Sequence, residues 1–111
     1  FWYELKEEFK WDLLPYKFLY DLFQAWIRKN NPYGKIEGKQ KFIMELQTIV
    51  QDDNEWDVMN TGDRKRIKGR MNCTEHLIHQ YKLYDWINPN YYADSYAGLL
   101  RRGIMWCDVT E

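Results

Sequence analysis

Two amphipathic stripes joined by a short polar stretch constrain this chain more than any other feature. From Pro15 onward, Phe18, Leu19, Leu22, Phe23, Trp26 and Ile27 fall at i, i+1, i+4, i+5, i+8 and i+9, a wide apolar stripe of helical period. Proline suits the first turn, because the N–H it lacks has no intrahelical partner there. Arg28 and Lys29 complement the negative helix end, and Asn30-Asn31-Pro32 stops it. After a turn containing Tyr33-Gly34, a second helix is expected over about residues 38–51, with Phe42, Ile43, Leu46, Ile49 and Val50 on its apolar face. Gln40, Lys41, Met44, Gln47, Thr48 and Gln51 point the other way. That outward face is mostly uncharged and rich in amides, where a merely solvated face commonly carries Glu and Lys.

The flanking segments read more weakly. Trp2, Leu5 and Phe9 recur at i, i+3 and i+7 among charged residues, a short amphipathic helix ending near Asp12. Beyond residue 51, Trp56 and Val58 share one parity, Asn60-Thr61-Gly62-Asp63 is turn chemistry, and a basic run follows, so a β-hairpin is expected over residues 56–71. A third helix is expected from Thr74 as N-cap to about Tyr84, burying Leu77, Ile78 and Tyr81. Asn88-Pro89-Asn90 breaks the chain, and residues 91–111 form an aromatic extension whose piece at 103–106 is compatible with a strand. The expected fold class is therefore α+β and mainly helical. Aromatic residues make up 18% of the chain, and core packing is the favoured reading for most of the six Trp, although stacking on nucleic acid is the alternative. Tyr33, Tyr91 and Tyr92 stand in loop-like context as further possible contacts.

Size and composition exclude several classes. A chain of 111 residues allows one domain with a modest core and is too short for a TIM barrel or a full dinucleotide-binding fold. A hydrophobic fraction of 45% argues against a disordered tail, and the apolar runs are too short to span a membrane. Cys73 and Cys107 are too few for a disulfide framework, so a reducing cytoplasm is expected. The opening Phe-Trp-Tyr, without an initiator Met, reads as an excised piece of something longer.

No catalytic pattern is present in the sequence. Ser95 is the single Ser and stands outside any nucleophile elbow, and there is no Gly-rich phosphate loop. Cys73, His76 and His79 lie at i, i+3 and i+6, which is not a zinc signature. Asp52, Asp53, Glu55 and Asp57 could be imagined around Mg²⁺, but a solvated acidic loop is the favoured reading. The chain is expected to be non-catalytic and to carry no cofactor.

The net charge of −1 gives no overall case for nucleic acid. Its distribution does. Residues 1–27 carry three positive and five negative charges, residues 71–111 the same, and residues 28–70 carry ten and seven. Arg64, Arg66, Lys68 and Arg70 share one parity, so an extended strand would line them along one side at ~6.6 Å intervals. Such a ridge can follow a phosphate backbone, the alternative being a solvated strand face. Lys35, Lys39 and Lys41 bring further positive charge to the start of the second helix. On its outer face, Gln40, Gln47 and Thr48 are the candidates for base edges, since Gln can pair bidentately with adenine and Thr can serve either base edges or a thymine methyl. A helix followed by a basic hairpin is the plan of a winged helix-turn-helix, with the helix in the groove and the wing on the backbone.

A family resemblance coincides with this region. The run Leu14-Pro15-Tyr16-Lys17-Phe18-Leu19-Tyr20-Asp21-Leu22-Phe23-Gln24-Ala25-Trp26, then Asn31-Pro32-Tyr33-Gly34-Lys35 and Gly38-Lys39-x-x-Phe42-Ile43-x-Glu45-Leu46, resembles the C-terminal domain of phage and plasmid primase–helicases of the poxvirus-type and satellite-phage-type class. The resemblance is best over residues 13–50. It implies a winged-helix DNA-binding domain over 13–111, behind a superfamily-three helicase core whose trailing helix or linker would be residues 1–12. It also implies a role in DNA replication, with DNA (duplex or fork), the upstream helicase core and other replication proteins as partners, no membrane, and the bacterial host cytoplasm as location. The rival reading is a protein–protein interaction module that docks a replication partner or a neighbouring helicase subunit through the aromatic residues of 91–106.

Overall fold

Both stripes fold as the two long helices, and a short strand is wedged against the first of them. In the computed structural model the described residues are 1–58, 65–66, 75–87 and 95–104, with positions 65, 66, 87, 95 and 96 given by their backbone alone. Strand β1 (Leu13–Pro15) runs directly into α2 (Tyr16–Asn30), because Pro15 keeps an extended ψ of 140° and leaves the helix to begin one residue later. Helix α2 buries Tyr16, Phe18, Leu19 and Leu22, and its last turn closes with the Asn31 N–H donating to the Ile27 carbonyl at 2.7 Å. Helix α3 (Lys39–Val50) starts from Gly38 and buries Phe42, Ile43, Leu46 and Val50. The two helices meet where Phe23 stacks on Phe42, ring centroids 4.5 Å apart. Ile49, expected on the apolar face, is instead 38% exposed on the helix flank.

Three strands close the core from the other side. Strands β1, β2 (Trp56–Val58) and β5 (Gly98–Arg101) form an antiparallel sheet in the order β1-β5-β2, with Leu13 opposite Leu100, Pro15 opposite Gly98, and Val58 opposite Leu99. The hairpin expected over residues 56–71 is rearranged. Its first arm, β2, pairs with β5, while Lys65–Arg66 (β3) pairs with Ser95–Tyr96 (β4). A central strand must bring apolar side chains, and β5 brings buried Leu99 and half-buried Leu100, whereas the other arm of the expected hairpin is a run of cations. The central strand Gly98–Arg101 is not anticipated in the sequence; of the piece at 103–106, residues 105 and 106 lie outside the described ones.

The first twelve residues belong to the same core. Helix α1 (Trp2–Leu5) and a 3-10 turn (Lys6–Glu8) bury Trp2, Leu5 and, just beyond, Phe9, and Trp11 is buried as well. Trp2 stacks on Phe9 at 5.8 Å and meets Trp56 edge-on at 5.9 Å. These aromatics extend the cluster formed by Trp11, Phe18 and Trp86. Trp2, Trp11, Trp56 and Trp86 are all core residues, as expected for most of the tryptophans. Trp26 is half-buried and donates its Nε1–H to Glu4 at 3.2 Å. None of the helices among the described residues is long and apolar enough to cross a membrane.

The acidic loop is pinned rather than simply solvated. Asp53 Oδ2 accepts from Lys6 Nζ at 3.1 Å and from Trp2 Nε1 at 3.4 Å. Arg101 donates Nε to Asp12 at 2.8 Å and Nη2 to the Phe9 carbonyl at 3.0 Å, faces Glu55 at 3.4 Å, and lies 4.4 Å over the Trp56 ring. Arg102 pairs with Asp57 at 3.1 Å.

The third expected helix is shorter than its pattern: α4 spans His76–Gln80 and a 3-10 turn follows at Tyr84–Ile87. Thr74, its expected cap, lies outside the described residues. Leu77 and Ile78 are buried as expected, and Tyr81 half so. The stop is a Schellman-type closure, with the Leu83 N–H donating to the Ile78 carbonyl at 2.8 Å and Lys82 at a left-handed φ of 58°. A non-glycine residue is disfavoured there, so Lys82→Gly should raise stability by about 0.5–1 kcal/mol, read as a higher urea midpoint at unchanged slope.

Candidate nucleic-acid interface

The outer side of α3 and the connection that leads into it form an exposed basic surface. Lys35, Lys39, Gln40, Lys41, Met44 and Thr48 are all exposed, Met44 to 66%. Lys35, Lys39 and Lys41 form no salt bridge among the described residues, in contrast to Lys6, Arg101 and Arg102. Gly38 caps the helix without a side chain, and a Cβ placed there would meet nothing within 4 Å. The first backbone N–H groups of α3 therefore have no side-chain cap, and the exposed Lys39 and Lys41 stand in its first turn. A helix start so arranged attracts anions.

The three proposed base readers differ in their surroundings. Gln40 is free to reach outward from the first turn. Thr48 donates its hydroxyl to the Met44 carbonyl at 3.0 Å, which turns the oxygen's remaining lone pairs outward as acceptors. Gln47 is half-buried, and its Nε2 donates to the Tyr16 hydroxyl at 3.1 Å, bracing α3 against the start of α2. Burial pushes the Tyr16 phenol up from its ordinary pKa, an effect partly offset by this bond. Gln47 is thus spoken for at its amide nitrogen. Met44 is the residue that sequence singled out least: it is the largest exposed apolar group on this face, and its place in the middle of an amide-rich stripe was the available signal.

Arg66 lies on β3 with its backbone opposite Ser95, whereas Arg64, Lys68 and Arg70 lie outside the described residues, as do Cys73, Tyr91, Tyr92, Trp106 and Cys107. Tyr33, in the turn between α2 and α3, is fully exposed. Among the described residues no three His, Cys, Asp or Glu side chains are grouped so that they could hold a metal ion.

These elements define a small α+β domain in which two long helices pack on an antiparallel three-stranded sheet. Comparison with protein families places it further: the Poxvirus D5 protein-like family matches residues 1–88, and the chain belongs to that family. The match begins within the buried N-terminal aromatics and runs through α2, α3 and α4, so it takes in the candidate helix and all of the described core but Leu99. Searches of curated proteins and of solved structures gave no match.

Proposed function

We propose that the chain is a non-catalytic DNA-binding accessory domain of a replication primase–helicase, with α3 as its recognition helix. The observation that carries this reading is the surface of α3: an N-terminus without a side-chain cap, three exposed lysines around it that form no salt bridge among the described residues, and the exposed Gln40, Met44 and Thr48 beyond. Membership of the Poxvirus D5 protein-like family supports an association with replication primase–helicases. The topology supports a winged helix, because α2 and α3 lie between β1 and β2, and β5 returns between those two strands. The wing in this reading is the segment 56–71, of which β2 and β3 are described.

Phosphates would be held by Lys35, Lys39 and Lys41 on one side and by Arg64, Arg66, Lys68 and Arg70 in the wing. Gln40 and Thr48 would meet base edges, with Gln47 setting the helix angle through Tyr16. Fluorescence anisotropy with labelled duplex and single-stranded probes at two salt concentrations tests this. Binding should weaken steeply with salt. The double variant Lys39→Glu/Lys41→Glu should lower affinity about tenfold or more on every sequence and make the salt slope shallower by about two. No binding at low salt, or an unchanged affinity in the double variant, overturns the reading.

A further inference from the structure

Roughly 130° around α3 from its amide-rich face, the helix has a second surface of opposite character. There a cavity of about 140 Å³ is walled by Phe1, Phe23, Phe42, Leu46 and Ile49, with the Glu37 and Glu45 carboxylates at its edge. Tyr3, 73% exposed, and Ile49, 38% exposed, form a shared ridge between this cavity and a wider recess of about 400 Å³ lined by Asp52, Asp53 and Glu55. Five carboxylates thus flank one exposed apolar ridge. Among the described side chains that line the two hollows the one cation is Lys6, bound to Asp53 at 3.1 Å. Arg101 faces Glu55 at 3.4 Å and the Lys41 charge acts on Glu37, while Glu37, Glu45 and Asp52 form no salt bridge among the described residues.

Glu37 is held in place rather than swinging free. The Tyr20 hydroxyl donates to its backbone carbonyl at 2.7 Å, and its Oε2 is buried with no hydrogen-bond partner. Burial and the adjacent Glu45 carboxylate push the Glu37 carboxyl above its usual range. A cation brought to this pair would relieve both effects.

The chemistry of the groove chooses its occupant. Phosphates are repelled by these carboxylates, so nucleic acid belongs on the other face. A bare metal ion does not match, because no metal-holding group of side chains is present among the described residues. The apolar ridge calls for an aliphatic or aromatic anchor, and the carboxylates on both sides of it call for Lys or Arg on either side of that anchor. We propose that this groove docks a basic amphipathic segment of a partner protein, with an apolar side chain in the smaller cavity and flanking cations on Glu37, Glu45 and Asp52. The domain then has two separate faces on one helix, and partner docking does not exclude DNA.

The test titrates the 111-residue chain with a fluorescein-labelled 18-residue peptide of Leu and Lys, patterned as an amphipathic helix, and with its Leu/Glu counterpart. The Leu/Lys peptide should bind, and Glu37→Gln/Glu45→Gln and Ile49→Asp should each weaken it by about tenfold. The amide shifts it causes in ¹⁵N spectra should centre on Tyr3, Glu45 and Ile49. Duplex DNA added to the chain alone, if the α3 reading above holds, should leave the amides of Tyr3, Glu45 and Ile49 unshifted; if DNA does not bind at all, the peptide result still stands on its own. Equal binding of the two peptides, affinity unchanged in both variants, peptide shifts centred on Gln40 and Thr48, or DNA shifts centred on Tyr3, Glu45 and Ile49 would each overturn the proposal.

Discussion

Replacing Gly98 with Ala should remove about 3 kcal/mol or more of stability and lower the melting temperature by roughly 12 °C or more. Gly98 sits opposite Pro15 where β5 passes β1, and the Tyr16 N–H donates to the neighbouring Ala97 carbonyl at 3.0 Å. A Cβ at Gly98 would run into the Leu14 carbonyl oxygen, and it would come within 2.8 Å of the Leu14 carbonyl carbon and 2.9 Å of the Pro15 Cα. All of these are backbone atoms, so no side chain can swing aside. The strands must separate instead, and they do so at the fully buried Leu13, Leu14 and Leu99. A domain of this size has on the order of 5–15 kcal/mol in total, so the loss is a large share of it. Gly38→Ser, at a position with open space around it, is the control and should shift stability by a few tenths of a kcal/mol. Urea unfolding of both variants, followed by tryptophan fluorescence, reads the difference. A Gly98→Ala midpoint within error of the parent's would show that β1 and β5 do not approach as described.

The same strand pairing explains which parts of the fold can be read from sequence. Helices α2 and α3 are local objects, and their periods, the proline start and the Asn-Asn-Pro stop give their limits to within about a residue. Strand β1 is three residues long, and its partner lies more than eighty positions away at Leu99 and Leu100, so no local pattern announces the pairing. The Trp56–Val58 parity and the turn chemistry of 60–63 suggested a hairpin with the basic run, yet β2 takes the apolar β5 as its partner. In the candidate interface, Lys35, Lys39, Gln40, Lys41 and Thr48 were legible because exposure on a helix follows from the position of its buried stripe. Gln47 was not, because its tie to Tyr16 depends on how α3 crosses the start of α2. Arg101 counts in the sequence as one more surface charge, but it joins Asp12, Phe9, Glu55 and Trp56, residues brought together only by the sheet.

Glu75 is the least legible residue of all, since Glu is rarely buried and this one is fully buried. Its carboxylate accepts the Lys10 N–H at 2.9 and 3.1 Å, and also the backbone N–H groups of Trp11 and His76. It thereby ties the start of α4 to the segment that leads into β1. Glu75→Ala should remove about 3 kcal/mol or more, because it leaves buried N–H donors without partners. The isosteric Glu75→Gln should be milder at neutral pH, and the pH dependence separates the two roles of the side chain. Burial, only partly offset by the Lys10, Trp11 and His76 amides and the Lys10 charge, raises this carboxyl to about 7. A carboxyl whose folded pKa is raised binds more protons in the folded state than in the unfolded one. Its contribution is therefore complete below about pH 4.5 and is lost as the pH rises through about 7, an effect on the order of 3 kcal/mol. Asp53 acts in the opposite direction. Its own burial pulls its pKa up, but the Glu55 amide, Lys6 and Trp2 outweigh that and hold it below its ordinary value, so its contribution is lost only as the pH falls through the acid range. Urea unfolding at pH 5 and pH 8 should show the parent chain more stable at pH 5. Glu75→Gln should lose most of that difference, because an amide does not titrate, whereas Asp53→Asn should keep it. Identical pH profiles for the parent and Glu75→Gln would mean that the buried carboxyl is not the group that titrates.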